Sequence, residues 1–412
     1  MWILTKKYYF PLFALFVIFS DELFHCFFVL GGSSSLGSGI KAYMAIFIAI
    51  ISYTLLFIDI VTNRLHKSSF KLLLVLLVLL LLYYSTQFIY PIGSMYNDYK
   101  AHLLLYGSMC IPASYVGMRL SKRAYDEEIL KLLPLLVILI TLAVGLAQYT
   151  MLASGKILDK DNAVLNYQQA SYYFAYSFSF GVFYLFFHTK ENVVESGRFI
   201  RIIIALALPI SILGCLSSGG RGGFLYLAVI SVFLFYRIFR NNRKTRVWLL
   251  IIIILGIVSV SYLFNYLGIS DSQGFTRITE SATSDAGRND FHRLALNAFK
   301  ESPIIGNGLG SIWWTVGFYS HNIFTDLLAD TGILGTLLMF VVLVKSLIIL
   351  NKRSYVSSFD FFILLIFMGV GFQSLFSGYW FAMPNYFLVF GYVYGASSKK
   401  GSKDHIRIKA FL

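Results

Sequence analysis

Long apolar stretches recur along the whole chain, and they constrain its fold more than any other feature. The block LLLVLLVLLLLYY at 72–84 is typical, since it carries no charge and does not alternate between polar and apolar residues. About 20 such residues cross the hydrocarbon core of a bilayer as an α-helix, whereas a membrane β-barrel needs alternating segments of about ten. Only 13% of the 412 residues are charged, which is too few to cover a soluble protein. The sequence therefore predicts an all-α, polytopic integral membrane protein.

We predict twelve transmembrane helices and one long periplasmic loop with short helices. The predicted spans are 8–24, 42–60, 71–90, 102–118, 130–150, 170–188, 199–216, 223–239, 247–264, 322–344, 359–376 and 380–396. The predicted organisation is transmembrane helices one to nine within 1–264, the long loop at 265–321, helices ten to twelve within 322–396, and a basic cytoplasmic tail at 397–412. An even number of spans puts both termini on one side of the membrane.

The distribution of basic residues orients these spans. With both termini in the cytoplasm, 25 of the 34 Lys and Arg residues fall in inner segments and 9 in outer ones, as the positive-inside rule requires. The same bias accounts for the net charge of +14, because basic segments face an anionic inner leaflet. The charge therefore indicates membrane orientation, and we expect no binding to nucleic acid.

The three cysteines, Cys26, Cys110 and Cys215, lie in or beside apolar stretches at wide spacings. We interpret them as buried thiols that act as small apolar groups. No cluster of residues with metal-ligand spacing is evident in the sequence, so we expect neither a metal site nor another cofactor.

The start of the tenth predicted span, YSHNIFTDLLADTGILG at 319–335, is unusually polar. His321 and Asn322 stand where the helix begins, and a helix N-terminus carries a partial positive charge. That field disfavours the imidazolium, so we expect a neutral His321 that can accept a proton as a general base. The alternative is an ordinary histidine at the membrane interface.

Two carboxylates and two glycines follow inside the same span. Asp326 and Asp330 continue the four-residue spacing that begins at Asn322, and carboxylates within a span face the bundle interior or a water-filled cavity. Gly332 and Gly335 remove side chains one turn apart, which permits close helix packing or a kink.

The long loop contains a predicted amphipathic helix at 284–303 that ends at Pro303. Its apolar face repeats at helical spacing and comprises Phe291, Leu294, Ala295 and Ala298. Such a helix is expected on or near the outer membrane surface. Arg288 and His292 share another face, and the simplest alternative for Arg288 is a contact with a lipid headgroup. The glycine-rich IIGNGLGSIWW at 304–314 is interpreted as a tight turn, because Ser311 stands where a dinucleotide fingerprint needs its third glycine.

A second arginine lies in the hairpin LSSGGRGGFLYL at 216–227. Glycines flank Arg221 on both sides, so the backbone can approach other groups closely and leave the guanidinium exposed. The planar guanidinium suits phosphate oxygens, although a lone snorkelling arginine is the alternative. Arg221, Arg288 and His321 together predict an outer pocket with cations for a diphosphate and a base for a hydroxyl.

These motifs resemble the O-antigen ligase/polymerase superfamily of bacterial envelope glycan assembly. His321-Asn322, nine residues, then Gly332-x-x-Gly335 fits the family's H-[NSQ]-x9-G-x-x-[GTY] pattern in full. The matches lie in predicted spans seven to ten and the long loop, whereas the first half of the chain is similar only in topology.

Two arginines are also identified through this resemblance. SSGGRGG is similar to the family's Ser/Gly-rich arginine turn, which corresponds to Arg221. GRNDFHRLALNAFKESPIIGNGLG is similar to the stretch that carries the family's loop arginine, which corresponds to Arg288. The sequence departs from the family's R-x3-L form because His292 stands at the fourth position, which leaves Arg293 as the alternative.

The resemblance implies a metal-independent, inverting glycosyltransferase on the periplasmic face of the bacterial inner membrane. Its donor would be a glycan on undecaprenyl diphosphate, with Arg221 and Arg288 holding the diphosphate and His321 taking the proton of an acceptor hydroxyl. The residues expected to bind substrate beside them are Asn322, Arg293, Asp326 and Tyr319. The expected partners are the lipid-linked oligosaccharide, the bilayer, and a chain-length regulator and flippase of the same pathway.

The acceptor separates two activities. A polymerase of O-antigen or capsule type would transfer the glycan to the non-reducing-end hydroxyl of another lipid-linked repeat unit, whereas an O-antigen ligase would transfer it to lipid A core. SHNIFTDLLADTGILG and FSGYWFAMPNYFLVFGYVYG are similar to polymerase members, which favours the polymerase. A lipid-linked oligosaccharide flippase or other transporter is a further alternative, against which the sequence shows no internal repeat and no paired broken spans.

Overall fold

The computed structural model describes residues 8–20, 22–23, 37–62, 64–65, 67–85, 106–153, 167–187, 198–241, 258, 261–269, 286–312 and 319–395. Over these residues the secondary structure is helical, and no strand is present among them. This confirms the all-α prediction.

The described helices of ten residues or more are numbered in chain order. They are α1 (Tyr9–Ile18), α2 (Gly37–Val61), α3 (Lys67–Ser85), α4 (Ile111–Leu120), α5 (Asp126–Ala153), α6 (Tyr167–Phe186), α7 (Arg198–Ser218), α8 (Arg221–Asn241), α9 (Ala286–Glu301), α10 (Ile323–Arg353), α11 (Ser358–Phe376) and α12 (Pro384–Tyr394). A π-helical turn at Tyr106–Cys110 leads into α4, and a 3-10 turn at Trp380–Ala382 precedes α12.

Seven of the described helices are long and apolar enough to cross a membrane: α2, α3, α5, α7, α8, α10 and α11. They correspond to predicted spans two, three, five, seven, eight, ten and eleven, which confirms a polytopic membrane protein. Helices α1, α4 and α12 are shorter, and α6 is rich in Tyr and Ser. Most of predicted span nine lies outside the described residues. Twelve spans and the division of the chain at 264, 321 and 396 therefore stay predictions.

Helix α6 lies inside the bundle in spite of its hydroxyl groups. The Tyr176 hydroxyl donates to Gln373 Oε1 of α11 at 3.0 Å, and the Ser177 hydroxyl contacts the Val137 carbonyl of α5 at 3.3 Å. A buried hydroxyl is tolerated when it is hydrogen-bonded, so these contacts let a polar helix occupy the interior. Cys110 and Cys215 are buried thiols, as predicted, and Cys26 lies outside the described residues.

The two ends of the bundle differ in chemistry. At the start of α11, the buried Asp360 pairs with Arg123 and accepts a hydrogen bond from the Tyr392 hydroxyl at 2.8 Å. Nearby, the buried Arg237 lies with its guanidinium 3.6 Å from the centre of the Tyr355 ring. These arginines belong to segments predicted to face the cytoplasm. The opposite end, where α11 stops and α10 starts, holds the candidate site.

Candidate active site

His321 lies in a tightly held turn at the start of α10. Its backbone has φ +63°, the left-handed region that a β-carbon makes uncommon. The residues on both sides fix this turn: the Ser320 N–H donates to Asp326 Oδ1 at 2.8 Å, and Asn322 caps α10 by accepting from two first-turn N–H groups at 2.9 and 3.4 Å. The imidazole is therefore presented at the positive end of a helix, as the sequence predicts.

Asp326 and Asn322, both expected to bind substrate, have structural contacts of their own. Asp326 is fully buried, and its Oδ2 has no hydrogen-bond partner among the described residues. Asn322 uses its Oδ1 as the helix cap and donates from Nδ2 to the Leu375 carbonyl at 3.4 Å. Each residue therefore supports the His321 turn, whatever else it contacts.

Two aromatic rings lie near His321. The Tyr319 ring centroid lies 4.4 Å from that of His321, and the Phe291 centroid lies 6.3 Å away. Phe291 belongs to α9, so the helix of the long loop packs beside the candidate base.

Helix α9 is docked on protein through its alanine face. Ala295 is fully buried and forms a small apolar cluster with Ile312 and Ala329, against which Ala298 packs. Leu294 of the same predicted face is 40% exposed. The amphipathic helix is thus present where it was predicted, and its small residues allow close contact with α10. Its depth in the membrane stays a prediction.

Arg288 and Arg293 occupy different positions on α9. Arg288 precedes Phe291 and His292 by three and four residues, the spacing of neighbours on one helix face. Arg293 forms an ion pair with Asp290 at 3.2 Å, and both side chains are mostly exposed. Helical spacing therefore groups Arg288 with the residues that contact the His321 turn, and the choice of Arg288 over Arg293 stays a prediction.

The glycine-rich turn after α9 docks on a kink in α10. Gly332 has φ 60° and ψ −165°, which interrupts the helix. The kink exchanges four backbone hydrogen bonds with the turn, at 2.9, 2.9, 2.9 and 3.2 Å: Asn307 N–H to Ala329 O, Gly308 N–H to Asp330 O, Ile333 N–H to Pro303 O and Leu334 N–H to Ile304 O. A broken helix within a membrane protein needs such partners for the backbone groups it frees.

Asp330 joins this turn to the segment before α12. Its Oδ1 accepts from the Ser311 N–H at 3.0 Å and the Ser311 hydroxyl at 2.9 Å, and its Oδ2 accepts from the Tyr379 hydroxyl at 2.6 Å. Burial, followed by the charge of Asp330, raises the pKa of Tyr379 well above its usual value. The phenol therefore stays protonated and donates to the carboxylate. Asp330 serves as a brace of the site.

Arg221 is the first residue of α8, and its flanking glycines allow close packing on α6. A β-carbon on Gly220 or Gly223 would lie 2.1 or 2.2 Å from Ser171 Oγ, and one on Gly222 would lie 2.2 Å from the Tyr172 hydroxyl. Only glycine permits this approach.

Arg221 and His321 lie at the same end of α11. A β-carbon on Gly222, next to Arg221, would be 3.1 Å from the β-carbon of Phe376. Asn322, next to His321, reaches the carbonyl of Leu375. The end of α11 therefore has the arginine turn on one side and the histidine turn on another, so α8, α9 and α10 all meet at this end of the bundle.

Comparison with known families agrees with this arrangement. Residues 204–340 match the O-antigen ligase family, Wzy_C. The matched segment contains Arg221, Arg288 and His321, and it confirms the resemblance to the O-antigen ligase/polymerase superfamily, a glycosyltransferase-like family for polysaccharide assembly. No curated protein and no solved structure gives a significant match.

Residues outside the O-antigen ligase segment also support the site. The Phe381 ring stacks between Tyr83 and Tyr106, with centroids 4.5 and 4.1 Å apart. A β-carbon on Gly310 of the glycine-rich turn would lie 2.7 Å from the Tyr83 ring. The first half of the chain therefore braces the turn that docks on α10. The aromatic run in GYWFAMP (378–384) was the one sequence signal for this contact.

Proposed function

We propose that this protein is a polysaccharide polymerase of O-antigen or capsule type at the periplasmic face of a bacterial inner membrane. The donor is a glycan on undecaprenyl diphosphate. The acceptor is the non-reducing-end hydroxyl of another lipid-linked repeat unit. The acceptor oxygen attacks the anomeric carbon from the face opposite the diphosphate, so the new glycosidic bond forms with inversion as the bond to the diphosphate breaks.

The fixed turn that presents His321 is the observation that carries this proposal. A left-handed, non-glycine residue held by a carboxylate, a helix cap and a neighbouring hydroxyl indicates a functional constraint on that residue. A helix N-terminus favours the neutral imidazole, which is the form that takes a proton. His321 would accept the hydroxyl proton as the new bond forms, a contribution of about 10²–10⁴ in rate.

The two arginines are proposed to hold the diphosphate. Fixed cations stabilise the negative charge that develops on the leaving group, and the guanidinium can bind two phosphate oxygens at once. Arg221 starts α8 beside the end of α11, and Arg288 stands one helical turn before His292, which contacts Thr325 of α10. With two such cations the reaction needs no metal ion, so we propose a metal-independent enzyme.

The acceptor is tested by the surface polysaccharide of a deletion strain. Loss of a polymerase leaves lipid A core with a single repeat unit, and the strain regains long chains with the wild-type gene but not with His321→Ala. Full-length chains made with His321→Ala, at equal protein level in the membrane, would refute the proposed base.

A ligase is the second candidate, because the matching family model is described as an O-antigen ligase. Its deletion would instead leave bare core and accumulate a lipid-linked polymer. That phenotype would replace the polymerase by the ligase and keep the same donor chemistry.

A further inference from the structure

A chain of hydroxyl contacts connects α9 to the turn that carries His321. His292 Nδ1 lies 3.4 Å from Thr325 Oγ1, and Thr325 Oγ1 lies 2.6 Å from Ser320 Oγ. The Asn322 N–H in turn donates to Ser320 Oγ at 3.3 Å. His292 therefore reaches, through two hydroxyl groups, the residues that precede and follow His321.

Every contact of this chain joins groups that can pair as donor and acceptor. A hydroxyl donates once and accepts more than once. The Asn322 N–H donates to Ser320 Oγ, and the Ser320 and Thr325 hydroxyls contact each other and each lie 3.1 Å from the Asn322 carbonyl. His292 Nδ1 donates to Thr325 Oγ1 or accepts from it according to the tautomer of the ring. The contact is satisfied in both tautomers, and in such a chain each hydrogen bond polarises the next.

The contact matters because of where His292 lies on α9. His292 and Arg288 are one turn apart on the same helix face, and Phe291 beside them packs near His321. Near its C-terminal end, α9 is held on α10 by the apolar contacts of Ala295 and Ala298 and by Asn307 Nδ2, which donates to the Ala298 carbonyl at 2.6 Å and to the Ala329 carbonyl at 3.3 Å. Closer to Arg288 and to the His321 turn, the contact between His292 and Thr325 supplies a directional bond of its own.

We propose that His292 is a positioning residue: through Thr325 and Ser320 it sets the register of the helix bearing Arg288 against the turn bearing His321. This deepens the proposed function and rests on it for the roles of Arg288 and His321. The proposal assigns His292 no contact with the reacting atoms.

Two conservative substitutions test whether His292 acts by positioning α9 or through the chemistry of its own ring. In His292→Asn the amide lies where the imidazole has Nδ1, and in His292→Gln it lies where the imidazole has Nε2. Activity is measured as turnover of a lipid-linked donor by the purified protein. We expect about a tenfold fall in kcat for His292→Ala and His292→Gln, the effect of one ordinary hydrogen bond. We expect His292→Asn to recover most of the lost activity. The control Asn297→Ala, at an exposed position on the same helix, should behave as wild type.

A double-mutant cycle with Thr325→Val tests the contact without reference to the reaction. Thr325→Val removes the hydroxyl and keeps the shape of the side chain. The thermal shifts of His292→Ala and Thr325→Val should be non-additive, because both remove the same hydrogen bond.

The outcomes are distinct. Wild-type kcat in His292→Ala overturns the proposal, and so does additivity in the thermal cycle. A His292→Asn protein as slow as His292→Ala also overturns it, since the ring itself would then act. If His321→Ala remains active, the proposed function fails, and His292 then has no role in catalysis. The thermal cycle would still report whether His292 and Thr325 bind each other across α9 and α10.

Discussion

Replacing Gly332 by alanine should undock the long loop from α10. The residue combines φ 60° with ψ −165°, a backbone region that is essentially restricted to glycine and costs about 1–3 kcal/mol for other residues. The new β-carbon would also lie 2.4 Å from the Ile304 carbonyl oxygen and 2.6 Å from the Gly306 nitrogen. The two segments must therefore separate.

The separation has a cost that follows from the contacts. It breaks the hydrogen bonds from the N–H groups of Ile333 and Leu334 to the turn, each worth about 1 kcal/mol net. Strain and lost bonds together amount to roughly 3–5 kcal/mol, much of the stability of an ordinary domain. The loss falls on the docked turn, so α9 loses its support while the membrane helices remain folded.

Limited proteolysis and activity measure this effect together. Trypsin should cleave Gly332→Ala at the exposed Lys300 much faster than wild type, and polymer synthesis should fall by at least a hundredfold. The matched control is Gly371→Ala in α11, where nothing lies within 4 Å of the added β-carbon and alanine is the better helix former. Equal cleavage rates and equal activity for Gly332→Ala and wild type would refute the docking argument.

Three further outcomes are expected. Tyr379→Phe removes the phenolic hydrogen bond to the buried Asp330 and should lower the free energy of unfolding by about 1.5–3 kcal/mol; an unchanged melting temperature would show that this bond does not stabilise the fold. Arg288→Ala should abolish polymer synthesis while Arg293→Ala, which loses an exposed ion pair worth less than about 1 kcal/mol, should retain it; the reverse order would transfer the role to Arg293. Turnover by purified protein should persist in excess chelator, and activity restored only by added divalent ions would contradict the proposed role of the arginines.

Hydropathy and glycine placement predict much of the fold because they act locally. Each long apolar run satisfies its own backbone as a helix, so α2, α3, α5, α7, α8, α10 and α11 follow from the sequence alone. The pair Gly332 and Gly335 likewise predicts a kink or close packing, and the structure has its kink at Gly332.

The partners of that kink could not be predicted, since they come from distant parts of the chain. Nothing local indicates that Gly306 packs on Gly332 or that Asp330 binds Ser311 and Tyr379. The two aspartates were expected to face the bundle interior, and both are buried; the structure adds that Asp330 is occupied by protein donors. The contribution of Tyr83 to the site also has no sequence signal of its own.

The choice between Arg288 and Arg293 shows what the structure adds to a motif. The sequence offers both, because His292 interrupts the family's spacing. Helical spacing groups Arg288 with His292, which contacts Thr325, whereas Arg293 pairs with Asp290, and this supports Arg288 as the proposed loop arginine.

The central claim is that His321 performs the proton transfer while Arg221 and Arg288 hold the diphosphate of the same donor molecule. The direct test measures, on one purified preparation, the affinity for a lipid-linked donor and its single-turnover transfer rate. His321→Ala should bind the donor as wild type does and transfer it at least a hundredfold more slowly, whereas Arg221→Gln and Arg288→Gln should bind it more weakly. Transfer by His321→Ala at the wild-type rate, or unchanged donor affinity in both arginine variants, would contradict the account.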